Sequence, residues 1–197
     1  MAQDYDQLKK DIKSMSGRTD SDTINSIPSF IEAAQTQLDS VLRIPAMMSS
    51  ETYEKDGLTL PLSYMSIDNV VIGTYEAVMF PLADVLAKRR INNNSAFSMY
   101  YAVNGNNIEL VIPEAVTVTG YEKPPRLSNG NQTNAYTTGA YNAILWASLS
   151  FLGVFTRDTE AAQSWGALAE REIQNLNDAR DSFHTAGGLA SESARYL

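Results

Sequence analysis

Few residues in this chain carry the side chains that polar catalysis needs. Of its 197 residues, one is histidine and none is cysteine. Without thiols there is no disulfide framework, no thiolate metal site and no cysteine nucleophile. The lone imidazole, His184, excludes every metal site or triad that requires two. General acid–base work needs an acid within hydrogen-bond reach, and the spacing places none beside His184. Its position near the end of a helix fits a dipole contact instead. Asp20-Ser21-Asp22 resembles the start of a calcium loop, but neither the Gly at the sixth position nor the Glu at the twelfth follows. Capping or a solvated loop is expected there. No Gly-rich phosphate loop, G-x-S-x-G or H-E-x-x-H pattern occurs. Catalytic, cofactor-binding and metal-ligating residues are therefore none.

Charge gives the next constraint. The chain holds 15 Lys+Arg against 23 Asp+Glu, a net charge of −8. A protein that coats nucleic acid needs a dense basic face, which this balance argues against. Lys88-Arg89-Arg90 is the basic cluster. In the last turn of a short helix it offsets the dipole and stays in water. A phosphate contact is the sharper alternative, weak and salt-sensitive unless many copies surround one duplex. Asn93-Asn94-Ser95 and Asn131-Gln132-Thr133 match the glycosylation pattern. The charged stretch 1–13 does not read as a secretory signal, so neither is expected to be used.

The elements that position these residues follow from periodicity. A short helix is predicted over about 3–15. A second carries Ile27, Phe30, Ile31, Ala34, Leu38, Val41 and Leu42 on one face, with Pro28 in its first turn, Asn25 or Ser26 as cap and Pro45 as stop. From about 57 to 125 the period changes to two. Leu58/Leu60, Val70-Val71-Ile72, Ile108/Leu110/Ile112 and Val116/Val118 read as strands, with a hairpin at Asn104-Gly105 and a turn at Pro113-Glu114 leading into a third strand. A short helix is predicted over 81–90, ended by the cluster Asn92–Ser95. Pro124-Pro125 closes the region and 127–138 reads as polar loop.

The uncharged run 134–155 is too polar for a spanning helix, since Asn134, Thr137, Thr138, Asn142, Ser148 and Ser150 interrupt it. A helix over about 141–152, buried on most of its surface, fits better. The last long helix is predicted over 158–184, with Trp165, Leu168, Ala169, Ile173, Leu176, Ala179 and Phe183 as its apolar stripe and Trp165 in the core. Gly187-Gly188 ends it. The fold class is α+β and mainly helical: a bundle of N- and C-terminal helices (1–50 and 136–185) with a small antiparallel β-region (57–125) inserted. Residues 1–185 form one domain, and 186–197 a flexible tail.

Several of these segments resemble the head-to-tail adaptor (connector) proteins of tailed bacteriophages, of the podovirus neck type. The run 23–43, with Ile27-Pro28-Ser29-Phe30-Ile31 ahead of a helix ending in Leu42-Arg43, is similar to the family's opening helix. Leu60-Pro61-Leu62-Ser63-Tyr64 before Val70-Val71-Ile72, the helix at 81–90, the hairpin Tyr100 to Gly105 and the Trp165 early in the last helix follow the family's order. Thr138-Gly139-Ala140 departs from it, because relatives often have Pro-Asp there. The resemblance covers roughly 20–183 and rests on core and turn residues.

The resemblance implies a structural virion protein of the neck, made in the host cytoplasm, and not an enzyme. It implies a dodecameric ring beneath the portal, bound to portal and to tail or nozzle proteins, with genomic DNA passing through without sequence specificity and no membrane. Helices would pack between subunits and on the portal, with the β-region toward the tail. Phe183, Tyr196 and Leu197 are the expected docking anchors, and Lys88, Arg89 and Arg90 a candidate contact to DNA in the channel. A head-completion or tail terminator protein, or a cytosolic helical binding module or small hydrolase, would be the competing readings.

Overall fold

The computed structural model describes residues 3–54, 57–91 and 97–193, with side chains as far as 181. The class is α+β, with N- and C-terminal helices packing together and two small sheets between them in sequence. Two compact units emerge, one from Met1–Met47 with Pro124–Leu197 and one from Met48–Lys123.

In the helical unit, α1 (Tyr5–Ser16) is capped by the Asp4 side chain, which accepts from Gln7 N–H. The second helix, α2 (Ser21–Val41), starts earlier than its apolar repeat suggests. Asp20 is the N-cap, accepting from Thr23 N–H at 2.8 Å. Of the two roles open to the Asp20-Ser21-Asp22 run, capping or solvated loop, Asp20 takes the first, and it displaces Asn25 and Ser26 as caps. Pro28 therefore sits inside the helix, where its absent N–H leaves the Ile24 carbonyl without its i+4 donor. The helix survives because Ile27, Phe30, Ile31, Ala34 and Leu38 are buried on the face that the repeat predicts. It ends at Val41, before Pro45, which instead opens a 3-10 turn.

The segment expected to be loop contains a short helix, α4 (Ala135–Gly139), after α3 (Leu82–Arg89) of the other unit. The central helix α5 (Tyr141–Phe155) buries Ala143, Ile144, Leu145, Ala147, Ser148, Leu149, Leu152 and Gly153, as a nearly uncharged helix must. Among the described residues no helix is long and apolar enough to cross a membrane.

The last helix, α6 (Thr159–Ser193), crosses α5 at very short range. A Cβ on Gly153 would lie 2.7 Å from the Ala162 nitrogen, so glycine is required there. The Ser150 hydroxyl bonds the Ala162 carbonyl at 3.0 Å across the same seam. Gly187-Gly188 does not end this helix. Each glycine costs roughly 1 kcal/mol relative to alanine but forbids nothing, and Ala186, Leu189 and Ala190 beside them are good helix formers. The Trp165 ring is only half-buried, and Leu168 and Leu176 likewise, because α5 covers one side of the stripe.

The second unit holds two four-stranded sheets rather than one antiparallel sheet. Its strands are β1 (Met48–Tyr53), β2 (Thr59–Pro61), β3 (Tyr64–Ile72), β4 (Tyr75–Glu76), β5 (Val78–Met79), β6 (Tyr100–Asn104), β7 (Asn107–Leu110) and β8 (Val116–Glu122). The orders are β1-β8-β3-β4 and β2-β7-β6-β5, and β5 pairs with β6 in parallel. The hairpin forms where expected, but Asn104 pairs with Asn107, so the two-residue loop is Gly105-Asn106. Gly105 alone takes a positive φ of 58°, as a glycine-first hairpin turn requires.

After Pro113-Glu114 the chain enters β8, which lies in the other sheet from β7. Val116 and Val118 meet Ile72 and Val70 there, and these buried side chains share one core with Leu60, Tyr101, Ile108 and Leu110 of the second sheet. Strand β1 was not predicted. Its serine and threonine face carries no apolar alternation, and it exists by pairing with β8, Ser50 to Thr119 and Thr52 to Thr117 through hydroxyl contacts of 3.1 and 3.0 Å.

Candidate functional site

Two polar nodes fix the geometry of the units. In the helical unit, buried Gln35 accepts at its Oε1 from Leu127 N–H and from the Asn134 side-chain amide, both at 3.1 Å. The Asn134 Oδ1 in turn caps α4 through Tyr136 N–H and Thr137 N–H, and the Thr137 hydroxyl closes the box on Asn134 N–H. The Tyr136 hydroxyl donates to Asp39 at 2.6 Å, and Arg126 pairs with the same carboxylate at 3.0 Å. Burial, and then the Asp39 charge, push the Tyr136 phenol well above its ordinary value near 10. Tyr141, bonded to Asp11 at 2.6 Å, is raised for the same two reasons.

The second node uses the basic cluster. Arg89 does not stay in water. It donates to Glu109 at 2.7 Å and to the Leu110 and Leu58 carbonyls at 2.6 and 2.8 Å. Glu109 is buried on β7 and needs a counter-charge, which draws the guanidinium inward. Hydrogen bonding from Arg89 first, then from Thr59 and Asn104, holds the Glu109 carboxyl below its ordinary range. Lys88 lies 3.9 Å over the Phe97 ring. Arg90 is exposed. The cluster thus splits into a structural staple, a cation–π contact and one outward charge.

The docking residues predicted at the C-terminal end lie mostly beyond description. Phe183 sits in α6, but its side chain, like that of His184, is outside the described residues, as are Tyr196 and Leu197. So is Asn93-Asn94-Ser95, while Asn131 of the other acceptor pattern donates to the Arg126 carbonyl at 2.9 Å.

The exposed surface shows what sequence reading missed. Tyr75 and Met79 are 63 % and 65 % exposed, with Val78 and Val103 beside them in chain or sheet. Met79, Val103, Leu62, Met65 and Ile67 line a groove of about 520 Å³ in the β unit. At the end of α5, Val154 is 66 % exposed, and the half-exposed Phe155 touches Phe30 at 5.3 Å between ring centroids. The run Tyr75–Met79 was the readable signal, since its apolar residues do not alternate with polar ones.

A second groove, about 410 Å³, runs between α1 and α2, with Lys9, Lys10 and Lys13 beside Ile24, Ile27 and Pro28. Among the described residues no group of three His, Cys, Asp or Glu comes together to hold a metal ion. Tyr75, Val78, Met79 and Val154 present apolar side chains outward.

Known proteins place the chain. A family model described as SU10 adaptor protein matches residues 3–190. No curated protein matches it. The matched span takes in both units and the helical seam, in the order that the resemblance to connector proteins implies. The chain therefore belongs to the SU10 adaptor protein family, whose members are structural head-to-tail adaptors of phages rather than enzymes.

Proposed function

We propose that this adaptor assembles as a ring, a dodecamer, beneath the portal in the virion neck and there joins the capsid to the tail or nozzle proteins. Genomic DNA passes through the ring without sequence specificity. The observation that carries the reading is the family match over 3–190, and the exposed apolar residues at Tyr75–Met79 and Val154-Phe155 support it, since a partner would cover them. The net charge of −8 suits a passage that repels phosphate and lets DNA slide. A DNA contact from the basic cluster would come through Arg90, because Arg89 is held on Glu109.

Helices of the first unit pack between subunits and on the portal, and the β unit faces the tail. The 35-residue α6 extends past its bond to α2, where Asn177 donates to the Val41 carbonyl at 3.1 Å. The residues beyond, with Phe183, Tyr196 and Leu197 as anchors, form the docking arm.

The test is solution mass by light scattering with and without purified portal protein. A chain that joins the portal in twelve copies supports the reading. A stable monomer or dimer that ignores the portal defeats it. Twelve copies on the tail side of an already occupied portal would favour a tail terminator instead.

A further inference from the structure

Two surfaces have matching chemistry and lie in different units. The groove between α1 and α2 has an apolar floor of Ile24, Ile27 and Pro28. Lys9 is committed to Asp6 at 2.8 Å and to Asn129, which leaves Lys10 and Lys13, both exposed, as the ammonium groups of its rim. They stand three residues apart on one side of α1. The opposite chemistry occurs on the β unit. The strands of the first sheet carry Glu51, Asp68, Glu76 and Glu122 and no Lys or Arg. Its edge continues from β4 into β5 as Tyr75–Met79, an apolar segment with the exposed carboxylate of Glu76 near its middle. The inner side of that segment is satisfied, Ala77 N–H by Val70, Val78 N–H by Met99 and Phe80 N–H by Tyr101. Among the described residues no strand pairs with its outer side, and the segment holds no Lys or Pro to protect it.

We propose that the edge Tyr75–Met79 of one copy seats in the α1–α2 groove of the next, with Tyr75 and Met79 on the apolar floor and Glu76 between Lys10 and Lys13. The occupant is a second copy because this edge supplies both exposed aliphatic and aromatic side chains for the floor and a carboxylate beyond Asp6, the groove's own, which is paired with Lys9. Groove and edge share no residue, so the contact is heterologous. Each added copy leaves one groove and one edge free, which closes into a ring when the rotation per copy allows. The inference rests on the ring reading above and names the surfaces that would build it.

The chain has no cysteine, so an introduced pair reports this contact alone. The full-length Asn25→Cys/Met79→Cys protein is oxidised with and without portal, and light scattering on the unmodified chain records assembly in parallel. A ladder of covalent multimers from the double variant, with none from either single variant, is the expected result. Lys10→Glu/Lys13→Glu should lower the cross-linked yield about fivefold, with partial recovery on adding Glu76→Lys, as exposed ion pairs allow. Assembly without cross-links overturns the inference and leaves the ring standing. A cross-link within one chain, or multimers from a single variant, also overturns it. A chain that stays monomeric with portal removes the ring itself, and the inference with it.

Discussion

The Tyr136 hydroxyl donates to the Asp39 carboxylate at 2.6 Å although the two residues stand 97 apart in sequence. The bond ties α4, where the chain re-enters the helical unit, to the last turns of α2. Arg126 completes the node on the other carboxylate oxygen. This is the long-range closure of a unit whose sequence is interrupted by the whole β region.

Tyr136→Phe should cost about 2 kcal/mol, the usual loss for a buried hydrogen bond to a charged group. Urea unfolding monitored by circular dichroism would measure it. The same phenol sets an alkaline limit. Its folded-state value is raised, so its contribution is full below about pH 10, the unfolded value, and is lost as pH rises toward the folded one. The variant should lose less stability than the parent between pH 10 and 12, and an equal loss in both would refute the assignment.

Gly153→Ala should separate α5 from α6, because the new methyl would meet the Ala162 backbone and not a flexible side chain. A destabilisation of about 2 kcal/mol is expected, in the range for overpacking a tight seam. Thermal unfolding checks it. Gly166→Ala faces only the Ser150 hydroxyl at 3.3 Å and should cost less.

Arg89→Met would strand the buried Glu109 carboxylate and should cost about 3 kcal/mol at neutral pH. Because the folded-state value of Glu109 is lowered, the ion pair stabilises fully above about pH 4.5, the unfolded value, and less as pH falls through the folded one. The gap between parent and variant should therefore narrow on acidification in equilibrium unfolding. A gap that widens would show that the pair does not supply the stability.

Deleting 187–197 should leave the urea midpoint of the helical unit nearly unchanged and abolish attachment to portal-bearing heads. Sedimentation of heads with bound adaptor measures this directly. Normal attachment of the truncated chain would move the docking role elsewhere.

How much of this was legible in the residues depends on range. The face Ile27 to Leu38, the buried helix at 141–155 and the hairpin at Gly105 all declare themselves within a few turns or one loop, because period and backbone freedom are local properties. The run at Asp20 was readable as cap or solvated loop for the same reason, though the apolar repeat pointed to Asn25 or Ser26 as the cap. The absence of Cys and of a second His settled the excluded chemistry before any fold was known.

What the sequence by itself determined, then, was element type, the excluded chemistry and the family-like order of helices and strands. Tertiary structure alone decided the partners. β8 joins β3 and β1 rather than β7 because its valines match the buried faces there, and β1 has no pattern of its own to announce it. Arg89 turns inward for a carboxylate twenty residues away in sequence, and Asn134 caps a helix hidden in a polar stretch because Gln35 meets it across the unit. Trp165 stays half-exposed since one helix covers one side of it. Local periodicity says which face is apolar; only packing between distant segments says what covers it.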